Sequence, residues 1–317
     1  MELGIYIHGS SPFLPKETFE EYKELAIKYD ELGFHSLWFA DHLIRTPDPN
    51  KSSLFETWSL ISALSVVTDK IKLGTMVTPV TFRNLGVFAK MISTIDHISN
   101  GRIIVGLGSG WYDKEHTMFG LELGTLARRF SLLENYIQGL LALWTSNEEV
   151  TLQKGEIHLN GAYINPKPIQ KPHPPILIGG AGEKKTLKLV AKYAQMSNFG
   201  GSLSTIRHKL NVLEEHCKNE DRDYNDIITT VNRAVILGAD EKEVEVGVKN
   251  YRQRFIEMGM SAPSSGDFND LRLVGTPTQV ITQINELENN GIKQINLTVN
   301  DYTTLNLLEV LIKDYMH

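Results

Sequence analysis

Gly101-Arg-Ile-Ile-Val-Gly-Leu-Gly-Ser-Gly-Trp-Tyr-Asp-Lys-Glu-His116 is the most informative stretch of this 317-residue sequence. It starts with an Asn-Gly turn signal at 100–101, and its apolar run Ile103-Ile-Val105 predicts a buried strand. Glycines at 106, 108 and 110 follow, and then a segment that looks helical. Because glycine lets a flat ligand or a phosphate approach the backbone closely, the stretch predicts a cofactor platform. A tight strand-to-helix turn without a ligand explains the glycines equally well.

Similar short apolar runs recur along the chain, and helical patterns follow them. The eight predicted strands begin near residues 3, 36, 71, 102, 176, 195, 229 and 294. Strands that alternate with helices pair in parallel through right-handed crossovers, and eight such units close into a barrel. We therefore predict an α/β fold, a (β/α)8 TIM barrel, in a single domain over 1–317. A doubly wound open sheet is the alternative, but it would carry one early glycine-rich turn.

Residues 149–168 interrupt this alternation. Polar and apolar residues alternate there around two turn signals, Lys154-Gly155 and Asn160-Gly161. The pattern predicts a β-hairpin inserted between strands 4 and 5 of the barrel.

The composition is that of an ordinary globular protein, with 41% hydrophobic and 22% charged residues. The net charge of −6 argues against a nucleic-acid partner. Cys217 is the single cysteine, which excludes an intramolecular disulfide and fits a reducing compartment. Because no apolar run is long enough to span a bilayer and the first residues lack the pattern of a signal peptide, we expect a cytoplasmic protein without a membrane partner.

In a barrel of this kind, the active site lies at the carboxyl ends of the strands. Polar residues and glycines, together with a few apolar neighbours, collect at the predicted strand ends: His8, Ser10, Asp41, His42, Met76, Val77, Thr78, Gly108, Ser109, Gly110, Trp111, Gly179, Gly180, Ala181, Asn198, Asn232, Arg233 and Asn300. This concentration predicts a site for a small organic molecule at that end of the barrel.

Asp41 and His42 are the candidates for proton transfer. Histidine titrates near neutral pH and a carboxylate can fix its tautomer, so the pair predicts a general base with an orienting carboxylate. A loop-capping Asp41 beside an exposed His42 is the structural alternative. We predict no metal site, because such a site needs three or more ligands and His8 is the only other histidine at a strand end.

Gly179-Gly-Ala-Gly182 lies between a strand and a helix, where free backbone N–H groups and the helix dipole favour a phosphate. Tight packing of the helix explains the glycines equally well. Trp111 would stack on a ring or cover the barrel mouth, and Asn198 would bond a ligand or end a strand.

Six motifs resemble those of a known family. They are Leu37-Trp-Phe-Ala-Asp-His42, Leu73-Gly-Thr-Met-Val-Thr78, Gly101-Arg-Ile-Ile-Val-Gly-Leu-Gly-Ser-Gly-Trp111, Pro166-Lys-Pro-Ile-Gln170, Pro175-Ile-Leu-Ile-Gly-Gly180 and Val274-Gly-Thr-Pro277. In this order they resemble the bacterial luciferase-like superfamily, and within it the branch of probable coenzyme F-420-dependent oxidoreductases. The resemblance implies the barrel, its usual insertion at 149–168 and a homodimer.

The resemblance also implies that a flavin or an 8-hydroxy-5-deazaflavin binds with its ring in the barrel mouth. Asp41 would lie by the ring beside His42, which is similar to the catalytic histidine of deazaflavin-dependent sugar-phosphate dehydrogenases. Met76-Val77, followed by Thr78, matches a non-prolyl cis peptide that backs the ring. Further positions match contacts to the ring, the ribityl chain and the phosphate: Gly108, Ser109, Trp111, Gly179 and Gly180.

Two positions depart from the family pattern. Met76 is bulkier than the usual residue, and Trp111 stands where the sugar-phosphate dehydrogenases carry a glutamate. The resemblance therefore implies hydride transfer between coenzyme F-420 and an organic substrate, but not their substrate. The alternatives are a monooxygenase that uses FMN and oxygen, and a catalytically silent flavin-binding barrel. The loops at 42–56, 112–125 and 259–274 carry no pattern that identifies a substrate.

Overall fold

The computed structural model describes residues 1–8, 18–45, 53–257, 268 and 270–316. Ser10 and parts of the loops at 42–56 and 259–274 lie outside these residues. The strands in the described part are β1 (Glu2–Ile7), β2 (Ser36–Phe39), β3 (Lys72–Thr75), β4 (Thr78–Pro79), β5 (Ile103–Gly108), β6 (Val150–Lys154), β7 (Ile157–Ala162), β8 (Ile176–Gly179), β9 (Met196–Asn198), β10 (Ile228–Leu237), β11 (Arg272–Gly275) and β12 (Gln294–Val299).

The α-helices of the described residues lie between these strands and after the last one. They are α1 (Phe19–Glu31), α2 (Thr57–Ser65), α3 (Leu85–Ile98), α4 (Asp113–Met118), α5 (Leu126–Thr145), α6 (Thr186–Tyr193), α7 (Leu203–Asn219), α8 (Glu241–Glu257), α9 (Pro277–Asn289) and α10 (Tyr302–Met316). Among the described residues, none of these helices is both long and apolar enough to cross a membrane.

The predicted (β/α)8 barrel is confirmed. The strand order β12-β1-β2-β3-β5-β8-β9 is closed by β10, which pairs in parallel with both β9 and β12. All eight predicted strands take part in this closed, 8-strand barrel. The predicted hairpin is confirmed as well, because β6 and β7 form a separate antiparallel pair between the fourth and fifth barrel strands.

Two short strands were not predicted. β4 continues the line of β3 and pairs with β5, and β11 pairs with the far half of β10, beyond the part of β10 that contacts β9. β11 therefore lies outside the barrel wall and lengthens the sheet at the mouth.

The Asn100-Gly101 turn closes the amino-terminal side of the barrel. Both residues have positive φ, 54° and 78°, as an Asn-Gly turn favours. The next residue, Arg102, donates to the carbonyl oxygens of Ser65 at 2.6 Å and of Ile71 at 2.9 Å. The opening stretch thus joins α3, α2 and β3 at the end of the barrel opposite to the mouth.

The interior of the barrel is filled by a small cluster of large side chains. Trp38, Met76, Ile104, Leu177 and Met196 are buried and form this cluster. A Cβ atom at position 74 would lie 2.8 Å from the Trp38 ring, so Gly74 leaves room for the indole. Outside the strands, the helices cover the sheet with a larger continuous core.

Candidate active site

His42 follows β2 at the barrel mouth and is held by Glu115 of α4. Its Nδ1 lies 2.9 Å from Oε1 of Glu115, and Oε2 of the same carboxylate accepts the backbone N–H of Leu43 at 3.0 Å. Glu115 is only 1% exposed. A carboxylate in this position makes Nδ1 the protonated nitrogen of a neutral ring and leaves Nε2 to exchange a proton.

The sequence predicts Asp41 as the carboxylate that orients His42, and this prediction is wrong. The Asp41 carboxylate accepts the Thr78 hydroxyl at 2.7 Å and the Arg83 guanidinium at 2.6 and 3.2 Å. Adjacent residues of an extended chain point to opposite sides, which separates Asp41 from the His42 ring. Asp41 instead ties β2 to β4 and to the turn before α3.

Arg83 also contacts Glu56, so a pair of carboxylates surrounds the guanidinium. Burial alone would lower the pKa of Arg83, but Asp41 and Glu56 outweigh it and raise that pKa above its usual value. The Trp58 indole donates to the Thr78 hydroxyl at 2.9 Å and completes the network.

The peptide bond between Met76 and Val77 is cis, as the resemblance implies. Its Met76 carbonyl accepts the Tyr6 hydroxyl at 3.2 Å. The Val77 side chain occupies the space that a Cβ atom would need at Gly108, 2.5 Å away, and at Gly179, 2.7 Å away. These glycines therefore make room for the Val77 side chain and not only for a ligand, which the sequence did not reveal.

Trp111 lies beside His42 and stays exposed. The two ring centroids are 5.9 Å apart in an edge arrangement, and Tyr112 lies 5.0 Å from Trp111 and 6.5 Å from His42. Trp111 is 63% exposed, so it forms an open aromatic wall next to the proton-exchanging ring. Ser109, two residues before Trp111, is half-buried.

His8 is a second histidine at the mouth. Burial and, second to it, the charge of His42 lower the pKa of His8 to about 4. The Tyr6 ring lies 5.4 Å away in an edge arrangement. His8 is therefore neutral at pH 7.

The loop after β8 offers backbone donors for an anion. The N–H of Gly180, which has φ of 122°, is already donated to the Asn198 carbonyl at 2.9 Å. Among the described residues, the N–H groups of Ala181, Gly182 and Glu183 have no acceptor. The available donors thus begin one residue after the predicted Gly179-Gly180 pair.

Glu115 and Arg83 were missed from the sequence. Site residues were sought at the carboxyl ends of the predicted strands, and neither residue lies at such an end. Glu115 belongs to a short polar helix, and Arg83 to the turn before α3. Within the described ranges, no group of three or more histidine, cysteine, aspartate or glutamate side chains could hold a metal ion.

Comparisons with known proteins agree with this architecture. The sequence profile of the family described as "Luciferase-like monooxygenase" matches residues 1–294. The chain is 32% identical over 180 residues to F420-dependent glucose-6-phosphate dehydrogenase of Amycolatopsis mediterranei, covering 56% of this chain and 51% of that protein. It is 26% identical over 348 residues to pyrimidine monooxygenase RutA of Acinetobacter baylyi, covering 95% of this chain and 90% of that protein.

The chain spans about half of the length of that dehydrogenase and of further curated relatives that it matches at 36% identity. Its fold is similar to that of an "F420-dependent secondary alcohol dehydrogenase in complex with an F420-acetone adduct". The TM-score is 0.82 at 19% identity, over 99% of this chain and 97% of that chain.

Proposed function

Because the chain belongs to the luciferase-like monooxygenase family, we propose that it is an oxidoreductase that moves a hydride between coenzyme F-420, a deazaflavin, and a small organic substrate. The observation that carries the proposal is the buried Glu115 carboxylate against Nδ1 of His42 at the barrel mouth. When it is bound, a deazaflavin supplies a ring carbon that accepts or donates hydride.

In this proposal His42 exchanges the substrate proton through Nε2. Glu115 holds the imidazole in one orientation and stabilises the charge that the ring gains when it takes the proton. Trp111 and Tyr112 contact the His42 ring edge-on and limit its rotation. His8, neutral at pH 7, adds no second charge.

The residues at the mouth fit such a coenzyme. In this proposal the Met76-Val77 segment backs the ring, with Asp41, Thr78 and Trp111 beside it, as the family resemblance implies. In the proposal Asn198 contacts the coenzyme, and the resemblance assigns Gly108 and Ser109 to the ring and ribityl chain and Gly179 and Gly180 to the phosphate. The unpaired N–H groups that follow these glycines suit a phosphate. Lys184 and Lys185 are exposed beside those donors and add positive charge.

A monooxygenase that uses FMN and oxygen is the second candidate. The similarity to pyrimidine monooxygenase RutA over nearly the whole chain favours it. The two candidates differ in ring chemistry, because reduced flavin reacts readily with oxygen whereas a deazaflavin transfers hydride.

Parallel absorbance titrations of the purified protein with coenzyme F-420, FMN and NADPH test the proposal. We expect binding of the deazaflavin and, with the loaded protein, reduction or oxidation within a panel of alcohols, aldehydes and ketones. His42→Ala should keep coenzyme binding and lose turnover, whereas the matched His158→Ala change on the hairpin should leave both unaltered. Binding of FMN but not of the deazaflavin would favour the monooxygenase.

The proposal extends to a homodimer in the cytoplasm. The family resemblance supports the dimer. The single, buried Cys217 suits a reducing compartment. Light scattering on a sizing column checks the dimer, and fractionation of cells checks the compartment.

A further inference from the structure

A row of side-chain amides crosses the barrel just below the mouth. Gln294 and Asn296 of β12, Asn232 of β10 and Asn198 of β9 form it, one contacting the next. The first two are fully buried, whereas Asn232 and Asn198 are half-buried. The row therefore runs from the barrel interior toward the site.

The orientation of each amide follows from its neighbours. Nδ2 of Asn296 lies 3.8 Å from Sδ of Met76, which can only accept, and 3.2 Å from Oδ1 of Asn232. Oδ1 of Asn296 accepts from Gln294 at 2.7 Å, which agrees with this orientation. Asn232 must therefore direct Oδ1 into the row.

Asn198 ends the row with both of its N–H groups engaged. Its Nδ2 donates to Oδ1 of Asn232 at 3.0 Å and to the Thr230 hydroxyl at 2.9 Å. Two atoms are left over at the mouth end of the row: in the part of the chain that the structure describes, neither Oδ1 of Asn198 nor Nδ2 of Asn232 has a partner. They are an acceptor and a donor on adjacent, uncharged groups. At the buried end, Oε1 of Gln294 also has no partner among the described residues, but it is enclosed in the barrel interior.

We propose that Asn198 and Asn232 together bind the –CO–NH– edge of a planar ring, with Asn198 accepting the ring N–H and Asn232 donating to the ring carbonyl. Both amides are fixed by the row before the ligand arrives, so little side-chain freedom is lost on binding. A phosphate or a carboxylate does not satisfy the pair, because Asn198 has no hydrogen left to donate. The inference rests on the proposed function, since it concerns the same barrel mouth.

Two ligands share this chemistry. A pyrimidinedione edge belongs to the ring of flavins and deazaflavins, and also to a free pyrimidine base as a substrate. Met76, which contacts the row through Asn296 and backs the proposed ring site, places the pair at the level of the coenzyme ring. The test therefore compares both sources.

The test is calorimetric titration of the full chain with two matched ligand pairs. One pair is 8-hydroxy-5-deazariboflavin and its N3-methyl derivative, and the other is uracil and 1,3-dimethyluracil, in which both ring N–H groups are methylated. Methylation removes the ring N–H and leaves the Asn198 acceptor unpaired, so wild-type protein should bind the methylated ligand of at least one pair about tenfold more weakly. The pair that shows the loss identifies the source of the ring.

Three variants separate the roles of the two amides. Asn198→Ala should abolish the difference between methylated and unmethylated ligand. Asn232→Asp should weaken both by about tenfold while the difference stays, because an acceptor then faces the ring carbonyl. His158→Ala, on the hairpin and outside the row, is the control and should keep the difference.

The inference is overturned if wild-type protein binds the methylated and unmethylated ligands of both pairs with equal affinity. It is also overturned if none of the four ligands binds. Binding of the deazaflavin without a methyl effect leaves the proposed function standing while the inference fails. A methyl effect with uracil in a protein that binds no deazaflavin supports the inference and refutes the proposed function.

Discussion

The carboxylate of Glu115 lies 2.9 Å from Nδ1 of His42, although the two residues are 73 positions apart in the chain. The contact joins the end of β2 to the short helix α4, and the second carboxylate oxygen fixes the backbone of Leu43. The orientation of His42 therefore depends on a helix that carries no residue of the predicted site.

Replacing Glu115 by Gln should impair proton exchange and leave binding intact. The amide can still bond Nδ1 of His42, but it neither fixes one tautomer nor stabilises the protonated ring, so kcat should fall by about 100-fold. KM for the substrate and the affinity for the coenzyme should stay within about twofold. Long-range 1H–15N NMR of His42 should show mixed tautomers, and Glu115→Asp should recover part of the rate. Unchanged kcat with a single tautomer would contradict a positioning role.

Removing Arg83 should destabilise the protein strongly. Asp41 is buried, and Arg83→Met leaves its carboxylate without a cation, which typically costs about 3–5 kcal/mol in the free energy of unfolding. Urea denaturation measures this loss. Glu56→Gln, at the exposed side of the same guanidinium, should cost less than about 1 kcal/mol. The double variant Asp41→Asn, Arg83→Met should regain most of the stability, and its failure to do so would show that Arg83 acts by packing.

The barrel could be predicted from the sequence because its strands are apolar runs bounded by glycine or polar residues. β11 was missed, since Arg272-Leu-Val-Gly275 follows a polar loop and pairs only with the far half of β10. Glu115 was missed for a different reason. The polar run 112–116 gives no sign that a carboxylate within it is buried against a histidine from a distant strand.

The glycines show a further limit. A sequence indicates that something approaches Gly108 and Gly179 closely, but not what it is. The structure identifies Val77 as that neighbour, a residue whose position depends on the third strand and the peptide before it. A ligand and a neighbouring side chain leave the same pattern in the sequence.

This explanation predicts that a clash at Gly108 can be relieved at Val77. Gly108→Ala should cost about 1–3 kcal/mol in unfolding free energy, because its Cβ would lie 2.5 Å from Cγ2 of Val77. Adding Val77→Ala removes that methyl group and should restore part of the loss. Gly106→Ala is the control: its Cβ would lie 1.7 Å from the Thr75 carbonyl oxygen, so Val77→Ala should not rescue it. Thermal or urea unfolding of the three single variants and of the two double variants with Val77→Ala measures whether the rescue is specific to Gly108.

The buried His8 should make stability fall in mild acid. Burial, with the charge of His42, lowers its pKa from 6.5 to about 4 in the folded protein, so between these values only the unfolded chain takes up the proton. Above pH 6.5 the residue has no effect, and from there to pH 5 it should remove about 2 kcal/mol from the free energy of unfolding.

Urea denaturation of wild type and His8→Gln at pH 7.5, 6 and 5 measures this contribution. His35, whose pKa burial also lowers to about 4, adds a loss of the same sign. His8→Gln should therefore show a shallower fall than wild type, and His8→Gln with His35→Gln a shallower one still. If the single variant loses stability as steeply as wild type does, folded His8 takes up a proton in this pH range and burial does not lower its pKa to about 4.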